Sequence, residues 1–200
     1  MGDERSCADS QPGARRKRNC ASLFFCALCR RAIAIHRNPG NPNGMSFAPI
    51  QIQPATAAEV ALLAPLFNDY RYFYGQPADL SRAEKFLRER LTADESVVLW
   101  ARVGARATPA GFTQLYPTFS SVSTARVWVL NDLYVAPEFR RGGIAQALIA
   151  AARTHAMAAG AIRLDLSTGE ANHSAQALYE SLGFVREKDF RHYSLPLPPT

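Results

Sequence analysis

The stretch that points most directly to chemistry is FRRGGIAQALIAAARTHAMAAG, residues 139–160. It places Arg140, Arg141, Gly142 and Gly143 immediately before an alanine-rich pattern that predicts a helix. The first turn of a helix carries N–H groups without partners and a partial positive charge, and glycines let an anion approach those groups closely. The residues therefore predict an anion site, although a Gly-Gly pair also suits a purely structural turn.

A second candidate is an acidic residue inside an apolar strand. Asp132 lies in VLNDLYV, where the other residues are those of a buried strand. A buried carboxylate is expensive unless it is paired or functional. Three roles are open for Asp132: binding a substrate ammonium, relaying its proton, or pairing with a core arginine such as Arg126.

Aromatic residues cluster in FNDYRYFYG, at the end of the first predicted helix. Aromatic faces attract cations, so Tyr70 and Tyr74 are predicted to bind a cationic substrate, with Tyr72 and Asp69 as further candidates. An aromatic core stripe is an equally good interpretation of the same spacing.

The elements that must hold these residues follow one another after residue 44. IQIQPAT predicts a strand. A helix is predicted for TAAEVALLAPLFNDYRYFYG, with Thr56 and Glu59 as a capping box and Pro65 as a kink or break. A second amphipathic helix is predicted for DLSRAEKFLRERLTA. SVVLWARV and GFTQLYPTF predict a hairpin.

A long strand, ARVWVLNDLYVAP, precedes the glycine turn and a helix over 144–159. The strand AIRLDLST, a short helix in NHSAQALYESLG and a final hairpin in FVREKDFRHYSLPL complete the prediction. The fold class is α/β with a mixed sheet in a single domain, and residues 126–168 form a right-handed parallel crossover. His155, inside the alanine-rich helix, is predicted to lie at the surface.

The basic charge is concentrated in the first 44 residues. The whole chain has a formal net charge of +6, and residues 1–44 hold eight Arg or Lys against three Asp or Glu. Their net charge of +5 leaves +1 for residues 45–200. We therefore expect no nucleic-acid partner for the body of the protein.

Residues 1–44 are interpreted as a disordered basic tail, or as an untranslated segment with Met45 as the true start. Targeting or nucleic-acid binding by this tail is the alternative. Its apolar run of about ten residues is too short to span a bilayer, which needs about 20, so no membrane association is expected. All four cysteines lie in this segment, and a body without cysteine fits a cytoplasmic protein.

Two motifs resemble those of the GNAT superfamily, the acetyl-CoA-dependent N-acetyltransferases. One is R-x-x-G-x-A at Arg140, Gly143 and Ala145, and the other is N-x-x-A-x-x-L-Y-x-x-x-G-F in NHSAQALYESLGF. The resemblance covers roughly residues 48–195 and implies a GNAT-like single domain over 45–200. It also implies that the loop binds the pyrophosphate of coenzyme A through the segment Arg140, Arg141, Gly142, Gly143, Ile144 and Ala145.

The same resemblance assigns roles to four other positions. It implies Tyr179 as the general acid, the Val135 backbone amide as the donor to the thioester carbonyl, and Leu133 as a pantetheine contact. Asn172 is either a cofactor contact or a helix cap. The strand is also similar to that of diamine acetyltransferases, but Asn131-Asp132 stands where those enzymes have Glu-Asp, which counts against polyamine recognition.

The sequence therefore predicts an N-acetyltransferase that moves an acetyl group from acetyl-CoA to a primary amine of a small molecule in a ternary complex. Acetylation of a protein or peptide, and a noncatalytic acyl-CoA-binding module, are the alternatives. Thioester aminolysis needs no metal, and no metal ligands are predicted. Dimerisation through RHYSLPLPPT is a further possibility.

Overall fold

The computed structural model describes residues 48–104 and 108–198 of the chain. Both interpretations of residues 1–44 lie outside these ranges. A single 3-10 turn, Pro137–Phe139, precedes the glycine turn. The strands are β1 Ile50–Pro54, β2 Val97–Val103, β3 Gly111–Ser120, β4 Ala125–Val135 and β5 Leu164–Leu166, and the helices are α1 Val60–Phe73, α2 Leu80–Thr92, α3 Ile144–Ala158 and α4 His173–Ser181.

The strands form one mixed sheet in the order β1-β2-β3-β4-β5. Neighbouring strands are antiparallel from β1 to β4, whereas β5 pairs with β4 in parallel. The predicted hairpin of β2 and β3 and the parallel unit of β4, α3 and β5 are thereby confirmed. A parallel pair needs a long crossover connection, and α3 supplies it.

Helices cover both faces of the sheet. On one face α3 packs its buried Ile144 and Leu148 against Leu115 and Leu130, and on the other face α1 and α2 enclose Phe112 with a second apolar cluster. Because successive strand residues point to opposite faces, Phe112 and Leu115 of β3 serve different layers. The α/β class with a mixed sheet was expected from the sequence, and the structure adds that the sheet lies between two layers of helices.

The start of α1 differs in detail from its prediction. The Glu59 carboxylate accepts a hydrogen bond from the Thr56 backbone N–H at 2.7 Å, as a capping box requires, but the helix itself begins at Val60. Helix α1 then continues unbroken through Pro65 to Phe73. The proline therefore does not split the helix.

The predicted C-terminal hairpin is wrong. Residues 184–198 contain no strand, and every residue from Val185 to Pro198 is exposed. A charged run at residues 186–189 divides the apolar positions, and the Glu187 carboxylate accepts hydrogen bonds from the backbone N–H groups of Lys188 and Asp189. Such local bonds compete with strand pairing, and no buried face offsets them.

The surface assignment of His155 is also wrong. Its ring packs edge-to-face on Trp128 with centroids 4.8 Å apart, and its Nε2 is buried. Burial lowers the pKa of His155, since the apolar surroundings disfavour the imidazolium. No helix within the described ranges is long and apolar enough to cross a membrane.

Candidate active site

Asp132 lies near the end of β4 on the face covered by α1, and only 5% of its surface is exposed. Its Oδ1 accepts hydrogen bonds from the Tyr70 hydroxyl at 2.5 Å and from Asn131 Nδ2 at 3.0 Å. The Thr113 hydroxyl donates to the backbone carbonyl of Asp132 at 2.8 Å. The second carboxylate oxygen, Oδ2, accepts no hydrogen bond from the described residues and is available to a substrate.

Burial raises the pKa of Asp132 above its usual range, and the two hydrogen bonds from Tyr70 and Asn131 oppose that rise. The pKa of Tyr70 is raised as well, first by burial and then by its hydrogen bond to the carboxylate. The Tyr70 phenol therefore stays protonated and serves as a fixed donor. The result is a carboxylate that is held in place yet favours taking up a proton.

The interpretation of Asp132 as the partner of a core arginine is wrong. The Arg126 guanidinium lies 4.9 Å from the centre of the Phe119 ring instead. No ion pair to Asp132 exists among the described residues. The other two roles of Asp132, binding a substrate ammonium and relaying its proton, stay predictions.

Aromatic rings surround the Tyr70 side chain that holds Asp132, and together they form an aromatic wall. The Tyr70 ring packs edge-to-face on Tyr74 at 5.0 Å, on Phe112 at 5.7 Å and on Tyr134 at 6.0 Å. Tyr74 is 61% exposed and forms the outer part of this wall, whereas Tyr72 is 70% exposed and contacts none of these rings. The structure thus brings Tyr70, Tyr74 and Asp132 together and leaves Tyr72 out, and their binding of a substrate stays a prediction.

Two residues of β3 belong to the same site but were missed from the sequence. Gln114 is fully buried and is the cross-strand neighbour of Asp132. Tyr116 is half-buried, and its pKa rises to about 12 through burial and the nearby charge of Asp132. The available signal was the alternation Phe112, Gln114, Tyr116, which places a polar residue on an otherwise apolar strand face.

A β-bulge in β4 controls which backbone groups face the site. Gln114 pairs with Asp132 whereas Leu115 pairs with Leu130, so Asn131 is the extra residue. β5 pairs with β4 only as far as Leu130, and beyond it the outer edge of β4 has no strand partner among the described residues.

The backbone groups that face this open edge follow from the hydrogen bonds around it. The Ala136 N–H donates to the Ala110 carbonyl beside β3, so by alternation Leu133 and Val135 face away from β3. They are the two positions predicted to contact acetyl-CoA, and that role stays a prediction.

The glycine turn presents the start of α3 without a side-chain cap. Its N-cap is Gly143, at φ +84°, and Arg141 also has a positive φ of 61°. The Ile144 side chain is buried in the core, so any ligand contact of Ile144 runs through its backbone, whereas Ala145 is half-buried. A methyl group added at Gly142 would meet only the Phe139 carbonyl at 3.4 Å, so the outer side of the turn is open to a ligand.

Arg140 links this turn to the aromatic wall. Its Nε donates to the Val135 carbonyl at 3.0 Å, and its guanidinium lies 5.7 Å from the Tyr134 ring centre and 5.8 Å from that of Phe73. The guanidinium is exposed and keeps further N–H groups for an anion. Arg140 therefore connects the end of β4 to the predicted anion site.

Helix α4 contributes the other two predicted residues. The Asn172 side chain accepts a hydrogen bond from the Ala175 N–H at 3.2 Å, so it is a helix cap. Tyr179 is half-buried and packs on Phe184 with ring centroids 5.8 Å apart. Burial, and then the charge of the Tyr74 phenol, raises the pKa of Tyr179.

Comparisons with known proteins agree with this geometry. The model of the Acetyltransferase (GNAT) family matches residues 62–184. The chain is 46% identical over 149 residues to the uncharacterized N-acetyltransferase YhfO of Bacillus subtilis, an alignment that covers 74% of this chain and 99% of the relative. It is 31% identical over 138 residues to a probable acetyltransferase of Haemophilus influenzae, with 69% and 92% covered.

A solved structure of a probable acetyltransferase superimposes with a TM-score of 0.71 at 44% identity, covering 74% of this chain and 99% of that one. The residues matched by the family model, 62–184, include strands β2 to β5, the glycine turn and Asp132. The chain belongs to the GNAT family and is an acetyltransferase.

Proposed function

We propose that this enzyme transfers an acetyl group from acetyl-CoA to a primary amine of a small molecule by direct attack in a ternary complex. The observation that carries the proposal is Asp132, a buried carboxylate with one oxygen fixed by Tyr70 and Asn131 and the other free of protein donors. It lies where β4 loses its partner strand and leads into the glycine turn.

Asp132 binds the acceptor and takes up its proton. An alkylamine has an ordinary pKa of about 10.4 and arrives as an ammonium, which cannot attack. Oδ2 accepts a hydrogen bond from it, and the raised pKa of Asp132 favours transfer of one proton from the nitrogen to this oxygen. The freed lone pair then forms the N–C bond to the acetyl carbonyl carbon.

The open edge and the glycine turn fit acetyl-CoA as co-substrate. The turn offers uncapped backbone N–H groups at the start of α3, with the guanidinium groups of Arg140 and Arg141 beside them, which suits a pyrophosphate. The Leu133 backbone faces the open edge and suits an amide-bearing chain such as pantetheine. The Val135 N–H faces the same edge and is our donor to the carbonyl oxygen, where negative charge develops.

Tyr179 donates the proton that the leaving thiolate needs when the C–S bond breaks. Its raised pKa keeps the phenol protonated at neutral pH. A thiol has an ordinary pKa of about 8.5, so protonation of the sulfur is favourable in neutral solution, and solvent returns a proton to the phenol. The tetrahedral adduct loses its second N–H proton to solvent, and Asp132 releases the proton that it took up. The ammonium thus gives up two protons, the thiolate gains one, and the net reaction releases one proton and forms one amide.

The proposed size of the acceptor rests on access to Asp132. With 5% of Asp132 exposed, only a narrow group such as a terminal methylene-ammonium reaches Oδ2. Tyr70 and Tyr74 present their rings around that approach and attract a cation.

The test is thiol release from acetyl-CoA by the full-length protein with a panel of polyamines, amino acids, aminoalkyl compounds, aminoglycosides and a lysine peptide. We expect turnover that depends on a small amine and falls in Asp132→Asn and in Tyr179→Phe. Asp94→Asn and Tyr193→Phe change exposed residues of the same types outside the candidate site and are the matched controls. Tight acetyl-CoA binding without turnover of any amine would contradict the proposal and favour a binding module.

A further inference from the structure

Gln114 carries a buried amide oxygen that the reaction above does not use. The residue is fully buried, and its Nε2 donates to the Ser96 hydroxyl at 2.8 Å, also within the interior. Its Oε1 is buried and has no hydrogen-bond partner. A buried acceptor without a donor costs about 1–3 kcal/mol, so its presence calls for a reason.

The position of Gln114 supplies that reason. It lies directly opposite Asp132 in the β3–β4 register, and directly opposed residues share one face of a sheet with Cβ atoms about 4.5–5.5 Å apart. Asp132 itself has Oδ2 without a donor. Two acceptor oxygens on neighbouring strands thus have no protein donor, and they lie under the same aromatic wall of Tyr70 and Phe112.

We propose that Gln114 is a specificity-determining residue whose Oε1 accepts an N–H of the acceptor ammonium beside the bond to Asp132. Ser96 is a positioning residue, because its hydroxyl accepts the hydrogen bond from Gln114 Nε2 and so orients the amide with Oε1 on the side away from Ser96. The inference rests on the proposed function and deepens it. A site with two such oxygens favours ammonium groups that have at least two N–H bonds over tertiary ones, and a primary ammonium has one more N–H for solvent or Tyr116.

Arg90 Nε and Trp100 Nε1 are buried donors without a hydrogen-bond partner, and neither donates to the Gln114 oxygen. Arg90 forms an ion pair with Glu95, and its guanidinium lies 5.4 Å from the Phe86 ring centre. The Tyr70 hydroxyl is engaged with Asp132. The oxygen of Gln114 is therefore left for a ligand that brings its own N–H.

The first experiment measures binding of n-butylammonium to the full-length protein by NMR titration, in the wild type and in Gln114→Met. Methionine keeps the volume of the side chain and removes both polar groups. One lost hydrogen bond to a charged donor corresponds to a rise in Kd of about tenfold or more. Gln114→Glu keeps an acceptor oxygen and is expected to retain binding, which a merely structural role would not produce.

Gln53→Met is the matched control, because Gln53 lies on β1 and has no hydrogen bond to any residue of the site. We expect its Kd to equal that of the wild type. With the amine found in the panel, Gln114→Met should raise the KM for the amine and leave the KM for acetyl-CoA unchanged. An equal Kd in Gln114→Met and wild type, or a wild type that does not bind n-butylammonium, would overturn the assignment of Gln114.

The two proposals fail in different ways. Gln114-dependent binding of n-butylammonium without any acetyl transfer would support the ammonium site and refute the proposed reaction. Acetyl transfer to an amine with the same Kd and KM in Gln114→Met would support the reaction and refute the role of Gln114.

Discussion

The glycine turn gives the sharpest test of where acetyl-CoA binds, because one of its glycines can be changed with little effect on folding. Gly142 lacks a positive φ, and an added Cβ would lie 3.4 Å from the Phe139 carbonyl, an ordinary van der Waals contact. Gly143 has a φ of +84°, so a side chain there is strained even though its nearest neighbour is 3.7 Å away. Gly142→Ala therefore probes the ligand, and Gly143→Ala probes the backbone.

For Gly142→Ala we expect a change in the free energy of unfolding below about 0.5 kcal/mol, as for most surface substitutions. The added methyl group hinders one backbone N–H that faces the pyrophosphate. A charge-assisted hydrogen bond contributes about 1.5–3 kcal/mol, which corresponds to a rise of about 10- to 150-fold in the Kd of acetyl-CoA. Gly143→Ala should lose about 1–2 kcal/mol of stability in addition.

Calorimetric titration with acetyl-CoA, and with pantetheine as a fragment that lacks the pyrophosphate, measures this difference. Gly142→Ala should weaken the binding of acetyl-CoA and leave the binding of pantetheine unchanged. Urea unfolding of the same variant checks its stability. An unchanged Kd for acetyl-CoA in a folded Gly142→Ala protein would refute the assignment of this turn. Equal weakening of both ligands would indicate a general distortion of the site.

Three further predictions concern ionisable residues. Asp132 has a raised folded-state pKa, so its contribution to stability is complete below its unfolded pKa and is lost as the pH rises through the folded value. Asp132→Asn should therefore be more stable than wild type to urea at pH 7, though about 100-fold or more less active. An equal stability of the two proteins at pH 7 would contradict this. Tyr179→Phe should lower kcat by about 100-fold at an unchanged Kd for acetyl-CoA, and a loss confined to binding would refute the proton-donor role. His155 has a lowered pKa, so stability is lost as the pH falls from its unfolded pKa through its folded pKa. The Tm of His155→Phe should therefore fall less than that of the wild type between pH 7 and pH 5. The same dependence of Tm on pH in both proteins would contradict the burial effect.

Much of the fold could be predicted because local patterns and packing agree. The alternation in β2 and β3 gave the hairpin, and the glycine turn gave the start of α3. The prediction of a hairpin at the C-terminal segment was wrong because the residues alternate as in a strand, although the segment has no face to bury. The site was found where residue type is unusual for its element, as with Asp132, and missed where it is not, as with Gln114, whose meaning depends on the register between two strands.

The bulge at Asn131 shows why the sequence alone could not complete the site. In an unbroken strand, Trp128, Leu130, Asp132 and Tyr134 would share one face, because side chains alternate with a period of two. The structure instead packs Trp128 and Leu130 on the α3 side, and sets Asp132 and Tyr134 toward α1.

The extra residue also reverses which backbone groups face outward. The Trp128 N–H donates to the Arg163 carbonyl on the β5 side, whereas beyond the bulge Leu133 and Val135 are the residues that face this edge. One inserted residue thus moves the carboxylate from the α3 core to the aromatic wall, and it keeps backbone donors along the open edge that continues to the glycine turn. In the reaction that we propose, the acceptor nitrogen and the thioester meet at the end of β4, and the bulge is the local feature that would place an acid of this strand beside them.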